Sequence, residues 1–278
     1  MNCISQIYVN NPKFRGYVPC GKCNFCLETK RNDWSFRLNQ ENRASRTSLF
    51  LTLTYNDESL PYSSHLCPTL HKRHLQLFTK AVRKQNARMV RWPLRYYAVG
   101  EYGSEFDRPH YHMLIFNLHN VVAHPLEYYW KDFKTGVQRG FIKYGTVTPA
   151  SIHYVTKYVI NHYGEQPAGR DPPFAVMSRN PGIGANYLNT HTEWHKDELR
   201  NFTFVNGIRS RLPRYYKDKM FTQVLRERIA EASIEGSDYS YWREILHIAK
   251  TEPDPFNTYE QRVRYAHESI IKNLKFKK

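Results

Sequence analysis

The 278-residue sequence is poor in the features that would tie it to a membrane, a disulfide scaffold or a nucleotide-driven motor. No apolar run approaches the ~18 residues of a helical membrane span. Asn2, Asn10, Asn11, Lys13 and Arg15 break up the N-terminal stretch, so no secretory leader is expected and a reducing cytoplasm is the expected setting. Only five cysteines are present, and in that setting they are thiols or metal ligands rather than disulfides. No phosphate loop of the G-x4-G-K-[ST] type occurs, which argues against a built-in NTPase motor. Internal repeats and low-complexity tracts are also missing, which removes solenoids.

Acidic residues are the other scarcity. Against 41 Lys and Arg stand 25 Asp and Glu, a formal charge of +16. Such a surface attracts polyanions, of which nucleic acid is the commonest; the plain alternative is a basic soluble protein without that partner. What is present in quantity is core-forming material: 41% hydrophobic residues, 15% aromatic, with 21 tyrosines. A packed fold is therefore expected and wholesale disorder is not.

The pattern along the chain is α+β. "LETKRNDWSFRLNQENRAS", from Leu27, suits an amphipathic helix and "LFLTLTY", at 49–55, a central strand. From His71, Leu75, Leu77, Phe78 and Val82 recur at helical spacing until Trp92 and Pro93. "LRYYAVGEY" (94–102) and "HYHMLIF" (110–116) are two strands joined by a hairpin loop, so they are expected to be antiparallel neighbours. "GFIKYGTVT" gives a further strand, and a helix is punctuated by Pro149 and Gly164. This order predicts a central antiparallel sheet with helices packed on it. It divides the chain into a Cys-rich segment with a helix (1–46), a central domain (47–165) and a basic, largely helical C-terminal region (166–278).

Side chains of a strand alternate faces, so His110 and His112 share one face and Tyr111 takes the other. Two strand histidines can be ordinary polar residues. A hairpin that brings Glu101 beside them would instead complete a two-imidazole, one-carboxylate set with open positions for substrate oxygen, which suits Mg²⁺ or Mn²⁺.

In "HYVTKYVIN" a helix projects Tyr154, Lys157 and Tyr158 toward one side. Tyrosines at this spacing are commonly core or interface residues. Packed over the histidine face, however, they would supply an oxygen nucleophile and a neutralising cation for phosphoryl transfer. Cys20, Cys23 and Cys26 follow a C-x2-C-x2-C spacing with Cys3 upstream, which is compatible with structural Zn²⁺, an iron–sulfur cluster or free thiols; Cys67 is expected to bind nothing.

"FLTLTY" (50–55), "RPHYH" (108–112) and "YVTKY" (154–158), in that order, resemble the HUH endonuclease superfamily of rolling-circle replication initiators. "PCGKCNFC", "GEYG", "SRNPGIG" and "LPRYYKDK" bring the resemblance closer to the initiators of microviruses, the gokushovirus group in particular. The resemblance implies an RRM-like, ferredoxin-like nicking domain, with the metal on His110, His112 and Glu101. It further implies Tyr154 and Tyr158 as two nucleophiles, Lys157 as the residue that positions the scissile phosphate, and a 5′-phosphotyrosine intermediate that leaves a 3′-hydroxyl primer. Asn180 stands where the pattern has a second arginine, so no duty is carried onto it.

The partners expected on that basis are single-stranded or origin DNA, with a host helicase and DNA polymerase, in the host cell cytoplasm. Lys72, Arg73, Lys80, Arg83, Lys84 and Arg88 form a stretch with no acidic residue between Leu70 and Arg95, one candidate rail for phosphates. Tyr96, Tyr97, Phe106 and Tyr111 are candidate base-stacking residues or simple packing. The rival functions are a non-enzymatic, zinc-dependent nucleic-acid-binding protein and a metal hydrolase acting on a small phosphate ester.

Overall fold

The computed structural model describes residues 3, 5–11, 14–103, 106–157 and 169–275. In chain order the elements are β1 (Ile7–Asn11), β2 (Phe14–Val18), α1 (Asn24–Ala44), β3 (Ser48–Thr54), α2 (Lys72–Met89), β4 (Arg95–Tyr102) and β5 (Pro109–Phe116). There follow α3 (Asn120–Ala123), α4 (Leu126–Tyr129), β6 (Ile142–Gly145), α5 (Pro149–Lys157), β7 (Phe174–Met177) and α6 (Asn186–Asp197). The last are β8 (Phe202–Val205), β9 (Ile208–Arg211), α7 (Arg214–Met220), α8 (Gln223–Ile248) and α9 (Pro255–Lys275). Two compact units emerge, residues 31–190 and residues 1–30 with 191–278.

The larger unit is built on an antiparallel sheet of order β6-β3-β5-β4-β7. Its first four strands have the 4-1-3-2 order of a ferredoxin-like sheet, and β7 extends it at the far edge. The α+β expectation holds. The strands are rich in β-branched and aromatic residues, and the two inner ones are buried on both sides.

Alternation sorts the core into two layers. On one face Leu51, Leu53, Tyr111, Met113 and Ile115 meet Leu75, Phe78 and Val82 of α2, with Val122, Leu126 and Trp130 beside them. On the other face Tyr97, Val99, Leu114 and Phe116 meet Leu38 of α1 and Ile152 and Val155 of α5. A hydrogen bond of 3.0 Å between Ser35 and Thr156 hydroxyls ties α1 to α5.

A buried ion pair anchors the loop after β7. Arg95 Nε lies 2.8 Å from Glu41 Oε1, and the guanidinium also donates to the carbonyls of Pro181 (2.6 Å) and Gly182 (2.9 Å). Gly184 N–H donates to Glu41 Oε2 at 2.7 Å. The "NPGIG" stretch is thus held by backbone contacts to one charge pair, and Asn180 needs no arginine for that. Gly140 admits β6 to the sheet edge: at φ 153°, a Cβ there would run into the Thr54 carbonyl and the backbone of Tyr55 and Asn56.

In the smaller unit β1 pairs with β2 and β8 with β9, both antiparallel. Helices α8 and α9 meet through edge-to-face rings, Tyr241 with Tyr259 at 5.0 Å and Trp242 with Phe256 at 6.3 Å. No helix among the described residues is long and apolar enough to cross a membrane. The helix expected to run on to Gly164 is described as far as Lys157; its remainder, including Tyr158, lies outside the described residues.

Candidate metal centre and nucleophile

The β4–β5 register places Glu101 directly opposite His110 and Val99 opposite His112, so all three polar side chains stand on the face shared with Leu114 and Phe116. Glu101 Oε1 lies 2.8 Å from His110 Nε2 and 2.7 Å from His112 Nε2. The three groups offer ligand atoms within 4.8 Å of one another. They are little exposed: 19%, 9% and 7% of the side chain for His110, Glu101 and His112.

The outer ring nitrogens are held as well. His110 Nδ1 is 3.1 Å from the Arg108 carbonyl, which can only accept, so Nδ1 carries the hydrogen and Nε2 is left to face the carboxylate. His112 Nδ1 is 3.1 Å from Thr52 Oγ1, its cross-strand neighbour on β3. Phe50 stacks on the His112 ring at 5.6 Å. Two imidazoles and one carboxylate, oriented from behind, fit a divalent cation of the Mn²⁺ type better than an all-oxygen Mg²⁺ cage.

Charge in the trio is coupled. Burial opposes ionisation of Glu101, but the hydrogen bonds and charges of His110 and His112 outweigh it and hold the carboxyl below its usual range. Burial likewise disfavours imidazolium at His110, and the Glu101 hydrogen bond and charge reverse this, so its pKa lies above that of a free histidine.

Helix α5 packs Ile152, Val155 and Thr156 inward on this face and leaves Tyr154 41% exposed at the margin. The Tyr154 hydroxyl is 3.4 Å from His112 Nε2, and the two rings meet edge-on at 5.0 Å. Lys157 closes the described part of the helix, three residues on and toward the same side.

Other sequence candidates fall elsewhere. Lys72, Arg73, Lys80, Arg83, Lys84 and Arg88 are all exposed, on a helix that covers the opposite face of the sheet from the histidines. Tyr97 and Tyr111 present no ring to solvent; both are fully buried, because alternation on central strands turns them into the two core layers. Tyr96 packs against the core, while Phe106 is 78% exposed. Sequence reasoning missed Thr52 and Phe50, which alternation between Leu51 and Leu53 would have found once the facing strand was known. It also missed Lys143, which register places beside Thr52 on the metal face, and Phe141, 71% exposed at the edge.

In the smaller unit Cys3, Cys20, Cys23 and Cys26 gather within 4.8 Å. Cys20 Sγ is 4.0 Å from Cys26 Sγ, and Cys23 Sγ is 3.8 Å from Cys3 Sγ. A tetrahedral zinc site with ~2.3 Å Zn–S bonds has edges of about 3.8 Å, so the spacing fits. Cys20 Sγ accepts from Cys23 N–H (3.2 Å) and Lys22 N–H (3.4 Å), and these bonds pull its pKa down to about 6. Burial pushes Cys26 up to about 12.

A family model for replication-associated proteins of the ORF2 type matches residues 48–163, the stretch that holds Glu101, His110, His112 and Tyr154. The chain is 30% identical over 222 residues to the replication-associated protein ORF2 of Spiroplasma virus 4, covering 73% of this chain and 67% of that protein. It is 30% identical over 215 residues to the replication-associated protein VP4 of Bdellovibrio phage phiMH2K, covering 72% and 66%. The replication-associated protein ORF4 of Chlamydia phage 1 is 22% identical over 290 residues, covering 92% and 70%. No solved structure matches the chain.

Proposed function

Because the chain belongs to the replication-associated protein family of small single-stranded DNA phages, we propose that it initiates phage DNA replication by cutting one strand at the viral origin with Tyr154 as nucleophile. The observation that carries this reading is the 3.4 Å approach of the Tyr154 hydroxyl to His112 Nε2, the nitrogen that also faces Glu101.

In the proposed step the Tyr154 oxygen attacks the scissile phosphorus and the P–O3′ bond breaks. The phenolic proton leaves to water and the departing 3′ oxygen takes one up, so one phosphodiester is exchanged for another. A divalent cation, Mg²⁺ or Mn²⁺, held by Glu101, His110 and His112 would supply Lewis-acid polarisation of a phosphate oxygen. Lys157 neutralises the phosphate against the phenolate, which at its ordinary pKa of ~10 is a weak nucleophile without such help. Tyr158 takes the second transfer, so that the released 3′-hydroxyl can be rejoined and a circle closed.

On the metal face Lys143 and Phe141 receive the strand beside the site, one as a phosphate contact and the other as a stacking ring. The α2 cations hold flanking DNA on the opposite face. The four cysteines carry a structural Zn²⁺. The chemistry is assigned to residues 47–165, and the segments 1–46 and 166–278 hold DNA and support the fold. Strand separation and synthesis come from host helicase and polymerase in the host cytoplasm.

The test is incubation of phage single-stranded genomic DNA with the protein and Mn²⁺, followed by mass spectrometry of any covalent product. A 5′-linked adduct on the peptide that contains Tyr154 is expected, lost in the Tyr154→Phe, Tyr158→Phe double variant. An adduct that persists in that variant would reject the nucleophile assignment, and no adduct with the wild type would reject the cutting activity.

A further inference from the structure

Outside the metal face, the smaller unit carries an aromatic and basic surface that the proposed chemistry does not use. Strands β8 and β9 pair Phe202 with Arg211 and Phe204 with Arg209, so all four side chains stand on one side of the ribbon. Thr203, of the opposite parity, is buried. Asn206 (φ 52°) and Gly207 (φ 77°) close the hairpin with both turn residues in the left-handed region, the geometry of a two-residue type I′ loop, which keeps this alternation in register.

On the solvent side the rings and cations interleave. The Arg209 guanidinium sits 3.8 Å over the Phe202 ring. Phe202 meets Phe204 edge-on at 5.6 Å and Trp194 at 5.9 Å. Phe204 remains 54% exposed and Trp194 38%. A cavity of about 610 Å³ opens beside them, lined in part by Arg209, Arg228, Phe202 and Asn201. A neighbouring one of about 490 Å³ adds Arg211 and Lys217. The one carboxylate in the first cavity, Glu198, is engaged by Arg200 at 2.7 Å, so it does not cancel the remaining cations.

We infer that the β8–β9 hairpin is a second nucleic-acid site, a stacking platform for single-stranded DNA in which Phe204 takes a base and Arg209 and Arg228 take phosphates. The choice of DNA rests on the proposed replication role; the choice of a single strand does not. An exposed aromatic face flanked by guanidinium groups matches the π-face and the phosphate that an unpaired nucleotide presents together, whereas a duplex keeps its base faces covered.

Binding of fluorescent oligo-dT by the full-length protein isolates this site from cutting, because a homopolymer carries no origin. Phe204→Ala is expected to weaken binding about tenfold while Phe204→Trp retains it. Arg209→Gln with Arg228→Gln is expected to lower the slope of log affinity against log salt by about 1.4, from ~0.7 per lost single-strand phosphate contact. Blunt duplex of equal length should be bound with little change by Phe204→Ala. Unchanged oligo-dT affinity in both variants, an equal loss on duplex, or a Trp variant as weak as the Ala variant would each overturn the platform. Adduct formation on phage DNA is scored separately: dT binding that depends on Phe204, without any adduct, rejects the cutting activity and leaves the platform standing.

Discussion

Thr52 Oγ1 lies 3.1 Å from Nδ1 of His112, across a cross-strand pair in the middle of the sheet. The contact engages the outer nitrogen of the ring and leaves Nε2 toward Glu101, which makes Thr52 a positioning residue for a metal ligand. Thr52→Val removes the hydroxyl at nearly constant volume. Loss of an outer-shell partner of this kind lowers metal affinity about ten- to a hundredfold. Calorimetric titration with Mn²⁺ is expected to show that loss, with thermal unfolding of the metal-free protein little changed.

Metal binding at this site should depend on pH in one direction. His110 donates from Nδ1 to a carbonyl and faces a carboxylate through Nε2, so below its raised pKa the ring carries two protons. An incoming cation must displace the Nε2 proton. Apparent Mn²⁺ affinity is therefore expected to fall as pH drops below that pKa and to level off above it. Stability of the metal-free protein runs the other way. The contribution of the raised His110 is fully present below its unfolded-state pKa and is lost as pH rises through the folded value. Parallel pH titrations of Mn²⁺ affinity and of the metal-free melting temperature check both signs.

The Arg95–Glu41 pair anchors three backbone groups of the loop after β7 and is itself buried. Glu41→Gln leaves a buried guanidinium without its counter-charge, an error that costs about 3–5 kcal/mol. Replacing both partners together, Arg95→Met with Glu41→Leu, removes the unpaired charge, so its cost should be smaller than the sum of the two single losses. Urea denaturation of the three variants measures the difference.

For the cysteine cluster the expected content is one Zn²⁺ per chain by elemental analysis. Chelation should expose thiols in a set order. Cys20, with its pKa near 6, should alkylate first at neutral pH, and Cys26, near 12, last. Equal rates at all four positions before and after chelation would show that no metal was held.

The rival reading of a purely zinc-dependent binding protein makes a separate forecast. It requires His110→Ala and His112→Ala to leave DNA affinity unchanged with no cleavage in any variant. The nicking reading expects the same variants to lose adduct formation by at least about a hundredfold while the steep salt dependence of binding remains.

The metal trio was legible in the sequence because it depends only on a period of two and on one hairpin. "EYGSEFDRPHYH" therefore sets Glu101 opposite His110 whatever surrounds it. The side taken by α2 was not legible. Residues 111–116 of β5 are apolar or aromatic apart from His112 and are buried on both faces, so periodicity on the helix says that it packs but not on which layer. The same two-sided burial swallowed Tyr97 and Tyr111, whose polar hydroxyls had suggested access. Strands β1, β2, β7, β8 and β9 went unread because each is only four or five residues long, too short for an alternation to declare itself.

The cross-strand pairing of Glu101 and His110 has a consequence for how the two halves of the centre come together. The carboxylate is 9 residues from one imidazole and 11 from the other, while the phenol comes from 42 residues beyond His112. Closing the first loop is a local event and closing the second is not. Cation capture can therefore mature with a single ribbon of chain, and a variant whose tyrosine helix docks badly would keep its ion, lose its turnover and act as a dominant occupant of the origin.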